Sequence, residues 1–232
     1  MAGETREFHA FTLEHGLTFA VCAALTVVLI ALGLSARRRG TEHSVARVWG
    51  WIGVAVNVWS WIYWLAPANF DLKKSMPLEL CDIACIVAPL SLMAHRRIFA
   101  SLIFFWGIGL SSQAFVTPVL TDPFPTQRFW LFWALHLVIV ATAFYQVIVR
   151  KYRPTLKDLL IVIAVSTAWV SSMFALDMVI DANYGFVGNV KTERPTAVDI
   201  LGAWPRRVFL MGAIVIGLFT ALWAIFRSRR PA

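Results

Sequence analysis

Cysteine is scarce in this chain: Cys22, Cys81 and Cys85 are the three among 232 residues. All three sit in apolar segments, and Cys81 and Cys85, four apart, project from one face of a single helix. That distribution excludes a disulfide framework. The spacings Cys-x-x-Cys and His-x-x-x-His are missing. A zinc site built from Cys81, Asp82, Cys85 and His136 is therefore a weak alternative, and neither a metal nor another cofactor is expected. Acidic residues are few, 13 against 21 basic ones. There is no internal repeat, no low-complexity tract and no pair of broken apolar segments, which argues against an inverted-repeat transporter. The polar start at Glu4, Arg6, Glu7 and His9 leads into no cleavage-site pattern. The first apolar run is accordingly expected to be retained and not removed as a signal peptide.

What the chain has in abundance is apolar sequence. Hydrophobic residues make up 59% of it, the mean hydropathy is +0.70, and there are 11 Trp. Soluble domains run at about 45–50% apolar even when Gly is counted. The fold class expected is an all-α polytopic transmembrane helical bundle, one integral membrane domain covering 1–232, with the cell membrane as its location. Seven uncharged or nearly uncharged runs are long enough to cross a hydrocarbon core of ~30 Å. They fall at 16–36, 48–70, 76–94, 98–119, 129–149, 159–177 and 208–226.

The net charge of +8 would point to nucleic acid in a soluble protein. In a membrane protein the positive-inside rule accounts for it, and no nucleic-acid partner is expected. Thirteen of the 21 basic residues lie in the tail and in the loops after the first, third and fifth runs, opposed only by Glu42 and Asp158. The N-terminus is predicted outside and the C-terminus in the cytoplasm. With that orientation Cys81, Asp82, Gln113, His136 and Asp177 fall at similar depth near the outer ends of their helices.

Ionisable residues inside a membrane cost roughly 2.5 to 3.5 kcal/mol each on insertion scales, and by default they mark function. The run from Met76 to Ser91 carries Glu79, Cys81, Asp82 and Cys85, and His136 stands alone in the fifth run. A thiol that attacks an ester needs a base, and the base needs an orienting partner. Cys81 suits the nucleophile, His136 the base, and Asp82 or Asp177 the orienting group. Gln113 or the Ser111–Ser112 pair suits an oxyanion donor. Simpler roles stand beside these. A buried Cys is often a small hydrophobe, and Cys85 is assigned that role. His136 can glue helices through a hydrogen bond to Gln113 or Asp177. Asp82 and Asp177 can pair with Arg128, Arg206 or Arg207. Arg206 and Arg207, with Lys191 and Arg194, suit lipid phosphate. A solute transporter and a non-enzymatic lipid-binding factor are the rivals from other classes.

Several motifs occur in a suggestive order. They are Pro77-Leu-Glu-Leu-Cys-Asp82, Phe105-Trp-Gly-Ile-Gly-Leu-Ser-Ser-Gln-Ala-Phe-Val-Thr-Pro118, Phe132-Trp-Ala-Leu-His136, Asn183-Tyr184, Arg194-Pro195 and Leu201-Gly-Ala-Trp-Pro205. This set, spread over 49–226, resembles the YwaF-like family of bacterial integral membrane proteins. Eukaryotic relatives of that family include a membrane acyltransferase that remodels ether phospholipids through a Cys. More distant relatives hydrolyse fatty-acid esters with a Thr and a His. The resemblance implies acyl chemistry with Cys81 as nucleophile, His136 as base and membrane lipids as partners. Gln113, Ser112, Glu79, Asn183, Tyr184 and Arg206 are the expected substrate contacts. The chain departs from the family at Glu79, where a His is usual.

Overall fold

Apolar runs of this length can satisfy their backbone groups in a bilayer only as helices. The structure, a computed structural model, describes residues 7–94, 96–190 and 196–227. Within them the chain forms α1 (Leu13–Arg38), α2 (Glu42–Leu65), α3 (Leu80–Met93), α4 (Arg97–Phe104), α5 (Gln127–Ile148), α6 (Leu156–Ile180) and α7 (Arg206–Phe226), with no strand among the described residues. Three starts follow from local chemistry. Thr12 and Thr126 each accept a hydrogen bond from the backbone N–H three residues on, and Thr155 and Asp158 cap each other reciprocally.

Five helical stretches are long and apolar enough to cross a membrane: α1, α4 with its continuation to Phe115, α5, α6 and α7. The third expected run is shorter than its apolar sequence suggests. Met76 to Glu79 precede the helix, because the Asp82 carboxylate accepts the Glu79 N–H at 3.1 Å and fixes the first turn at Leu80. This leaves α3 with 14 residues. The α2 helix has length but carries Glu42, His43 and Arg47 in its first turns and Asn57 and Ser60 inside, which makes it less apolar.

Antiparallel order is recorded by contacts at two ends. At one end Arg37 of α1 donates to the Val149 carbonyl, Arg150 pairs with Glu42 at 2.9 Å, and Arg97 pairs with Asp158 at 2.6 Å. This is the arginine end. At the other, His15 meets the Phe115 carbonyl, Lys73 pairs with Asp181 and Arg207 donates to the Gly188 carbonyl.

The centre is built from α3, α4 with its continuation, and α5, whose Ala84, Cys85, Ala88, Ile103, Phe104, Phe105, Ile139 and Ala143 are fully buried. Close approach of α4 and α5 depends on Gly107: a Cβ there would lie 2.7 Å from Ala143 Cβ. Asn57, buried on α2, donates to the carbonyls of Gly53 and Cys85, each at 2.8 Å, with Cys85 Sγ 3.2 Å away. By contrast α1, α6 and α7 keep most of their apolar surface outward. Leu17, Val21, Leu25, Val28 and Leu32 of α1 are all exposed. Burying such a side chain is worth ~1.5–3 kcal/mol, so five left in water on one helix forgo a sum comparable with the whole margin of a typical domain. An outer ring this apolar matches a lipid surround.

Candidate functional site

The end opposite the arginines holds a cavity of about 440 Å³. Ligand pockets run from about 300 to 1,000 Å³, so this one has room for part of a lipid-sized molecule. Its apolar wall includes Leu110, Leu131, Phe132 and Leu135, and its polar groups include Glu79, Cys81, Asp82, Gln113, Lys74, Arg128 and His136. Cys81 and His136, expected from sequence at one depth, therefore face one space.

Cys81 is the second residue of α3, half-buried, with its Sγ 3.6 Å from the Ser111 hydroxyl. All three cysteines are free thiols. His136 is buried on α5, and its Nδ1 lies 2.8 Å from the Phe132 carbonyl one turn back. A carbonyl only accepts, so Nδ1 carries the proton. In the neutral ring Nε2 is then a lone pair, and no described residue hydrogen-bonds it. The ring is a held base with its basic atom unoccupied by protein.

The orienting partner differs from expectation. Asp82 is engaged with the start of its own helix. Asp177 lies outside the cavity wall, and its Oδ1 accepts the Tyr184 N–H at 3.0 Å while its buried Oδ2 has no hydrogen-bond partner among the described residues. A backbone carbonyl holds the imidazole where a triad carboxylate would. Nor do the expected ion pairs form. Arg128 pairs with Asp122 at 3.2 Å and lies over the Trp64 ring, and Arg207 pairs with Asp199 at 3.5 Å.

The other expected contacts divide in two. Gln113 and Glu79 are on the wall. Ser112 is not, and its hydroxyl donates back to the Ile108 carbonyl at 2.6 Å. Asn183, Tyr184 and Arg206 do not line the cavity; the first two brace the loop beside it. The Asn183 amide donates to the Val190 carbonyl and its oxygen accepts from the Gly188 N–H. The Tyr184 hydroxyl donates to the Leu72 carbonyl at 2.7 Å and accepts from the Met76 N–H, which ties this loop to the turn before α3. Burial pushes that phenol up from its usual range. Glu79 Oε2 accepts the Gly185 N–H at 2.9 Å, so the residue that replaces the expected His joins the same brace. Arg206 is exposed, and Lys191 and Arg194 lie outside the described residues.

Lys74, Trp61 and Trp64 line the cavity and were not singled out from sequence; Arg128, also on the wall, was expected as an ion-pair partner, and Ser111, beside Cys81, as half of the Ser111–Ser112 donor pair. The Lys73-Lys74 pair just before an apolar run was the available signal. Among the described residues no three His, Cys, Asp or Glu side chains cluster as metal ligands.

The profile of the TMEM164 family, a family of membrane proteins, matches residues 10–224. No curated protein and no solved structure matches the chain. A match over nearly the whole length makes this chain a member of the TMEM164 family, and with its apolar helices it is a multi-pass membrane protein.

Proposed function

We propose that this TMEM164-family member is a membrane-embedded enzyme that moves an acyl group from a lipid ester by way of Cys81. The observation that carries the reading is the shared cavity. A thiol and an imidazole whose Nε2 takes no hydrogen bond from the described residues line one largely apolar space of about 440 Å³. The motif resemblance to the YwaF-like proteins points to the same chemistry.

The steps balance with these groups alone. His136 Nε2 takes the Cys81 proton, and the thiolate adds to the ester carbonyl. The tetrahedral oxyanion collapses, the C–O bond to the lipid alcohol breaks, and the imidazolium returns its proton to that alcohol. Cys81 is left as a thioester. A second hydroxyl, from an acceptor lipid or from water, gives its proton to His136 and attacks the thioester, which restores the thiol. Water as acceptor makes the protein a hydrolase and a lysolipid makes it a transferase. Ser111, whose hydroxyl lies 3.6 Å from the reacting sulfur, and Gln113, on the cavity wall, suit the oxyanion. The Phe132 carbonyl keeps the ring in the productive tautomer throughout.

The orientation belongs to the same proposal: N-terminus outside, C-terminus in the cytoplasm, cavity toward the outer leaflet of the cell membrane. The charge asymmetry between the two ends supports it. Reporters placed after Arg153 and within 182–190 should fall on opposite sides.

The chemical test uses purified protein in nanodiscs with a fluorophosphonate-free, thiol-directed acyl probe and lipid mass spectrometry. Cys81→Ala and His136→Ala should each abolish labelling or acyl transfer, and the double variant should be no worse than either, because the pair acts as a unit. Cys81→Ser should lose most activity and Cys85→Ala almost none. Full acyl transfer in Cys81→Ala sinks the nucleophile. A well-folded wild type that is never labelled and turns over no ester leaves a lipid-binding protein.

A further inference from the structure

The arginine end holds a second cavity, of about 270 Å³, lined by His43, Arg47 and Trp51 of α2, Leu92 and Met93 of α3, and Arg150 just beyond α5. We propose that it binds the phosphate of an anionic membrane lipid. The site is independent of the acyl chemistry. Cys81 lies in the first turn of α3 and Met93 closes it, so the two cavities are roughly 18 Å apart along that helix at 1.5 Å per residue.

Charge is the first argument. Arg150 spends three of its five N–H groups inside the fold: Nε on Glu42 at 2.9 Å, Nη1 on the Ser91 carbonyl and Nη2 on the Leu92 carbonyl, each at 3.0 Å. These bonds cap the end of α3 and hold the guanidinium rigid at the wall. Two N–H groups remain. Glu42 is the acid at this place, and its Oε1 is already taken by Arg150 and by the Tyr145 hydroxyl at 2.8 Å. Burial would raise that carboxyl, but those two bonds and the charges of Arg150 and Arg37 hold it below its usual range. Arg47 is exposed and makes no hydrogen bond or ion pair to a described residue. The cavity thus presents one fixed guanidinium edge and one uncompensated cation, with His43 a turn away on the same helical face. A tetrahedral oxyanion takes such forked donors well.

The second argument is amphipathic geometry, and it separates a lipid from a soluble phosphate. His43, Arg47 and Trp51 follow each other at four-residue spacing on one face of α2. Beyond them the same face continues with Ala55, Val58 and Ile62, all exposed. A headgroup at Arg47 and Arg150 would meet an indole next and then an apolar stripe running toward the middle of the bundle. Trp prefers this boundary position, and basic pockets between membrane helices favour anionic headgroups. A free phosphate has no use for the stripe.

The test compares full-length protein in nanodiscs of phosphatidylcholine alone and in nanodiscs doped with phosphatidylglycerol, reading Tm and lipid retained in native mass spectrometry. Phosphatidylglycerol should raise the wild-type Tm and co-purify with the protein. Arg47→Gln should cut retention about tenfold, the effect of one charged hydrogen bond. Trp51→Ala should also weaken it. Both residues are exposed, so both variants should fold. Arg38→Gln removes one charge from the same end outside the cavity and should change nothing. Equal retention by wild type and Arg47→Gln overturns the proposal, and so does a loss as large in Arg38→Gln. Inorganic phosphate in detergent is the remaining arm. If it stabilises the protein as much as phosphatidylglycerol does, and Trp51→Ala leaves that unchanged, the ligand is a soluble phosphate and the lipid assignment is overturned.

Discussion

Cys81 Sγ and Ser111 Oγ stand 3.6 Å apart across the junction between the first turn of α3 and the end of the α4 extension. Thirty residues separate them in sequence, and what joins them is a change of helical pitch. From Phe105 to Leu110 the backbone widens to π-type bonding, then tightens to a 3-10 turn from Ser111 to Phe115. The widened turn rotates everything after it relative to an α-helix. Ser111 is thereby brought to the thiol and Ser112 is turned away.

That contact sets the first prediction. Ser111→Ala should leave the fold intact and slow thiol-probe labelling or acyl transfer about two- to tenfold, the worth of one hydrogen bond. Ser112→Ala should leave the rate unchanged. Equal losses in the two variants would show that the hydroxyl at 111 has no part in the chemistry.

At the arginine end Asp158 gathers Arg97 at 2.6 Å, Ser101 at 3.0 Å and Thr155 at 2.6 Å. Burial alone would raise its carboxyl, but these partners hold it at about 2, against an ordinary 3.8. A depressed carboxyl stabilises the fold fully above its unfolded value and loses that contribution as pH falls through the folded one. Thermal stability from this network should therefore be flat from neutral pH down to about 4 and fall between about 4 and 2. Asp158→Ala should cost about 3 kcal/mol at pH 7, the lower end for a buried pair, because Arg97 is 54% exposed and can rehydrate. A Tm unchanged in Asp158→Ala would remove the network from the account of stability.

Glu79 offers a test of whether its replacement of a His is structural. Its Oε2 accepts from the Gly185 N–H, and a Gln carbonyl can do the same. Glu79→Gln should therefore keep the 183–188 loop protected from protease. Glu79→Ala should expose it, at a cost of ~1 kcal/mol, the low end for an amide left unpaired, because Gly185 is only half-buried. Equal protease sensitivity in the two variants would refute the brace.

The α4–α5 contact provides a packing test. Gly107→Ala places a methyl 2.7 Å from Ala143 Cβ and 3.2 Å from the Ile139 carbonyl. Overpacking of this kind typically costs ~1–3 kcal/mol. Adding Ala143→Gly removes the nearer clash and should recover part of the lost Tm. Strict additivity of the two changes would mean that the helices do not meet there.

The apolar runs alone determined the class and nearly every helix, because a chain this poor in charge can satisfy its backbone in lipid only by coiling. They located the cysteine, the histidine and the glutamine of the cavity, since depth along a helix follows from residue count. Rotation about each axis does not follow from count. It is set by which side chains pack, and here by the π-type turn at Phe105–Leu110, so the sequence offered the Ser111–Ser112 pair as a whole and the fold brought Ser111 alone of the two to the thiol. The same gap affected Asp177. Its depth suited the histidine, but the tertiary structure turned it onto the Tyr184 backbone, because a loop folding back over the helix ends had an N–H to satisfy. The start of α3 was decided by one carboxylate, Asp82, bonding three residues back. Hydrophobicity fixed where the helices are; hydrogen bonds between distant segments fixed which faces meet.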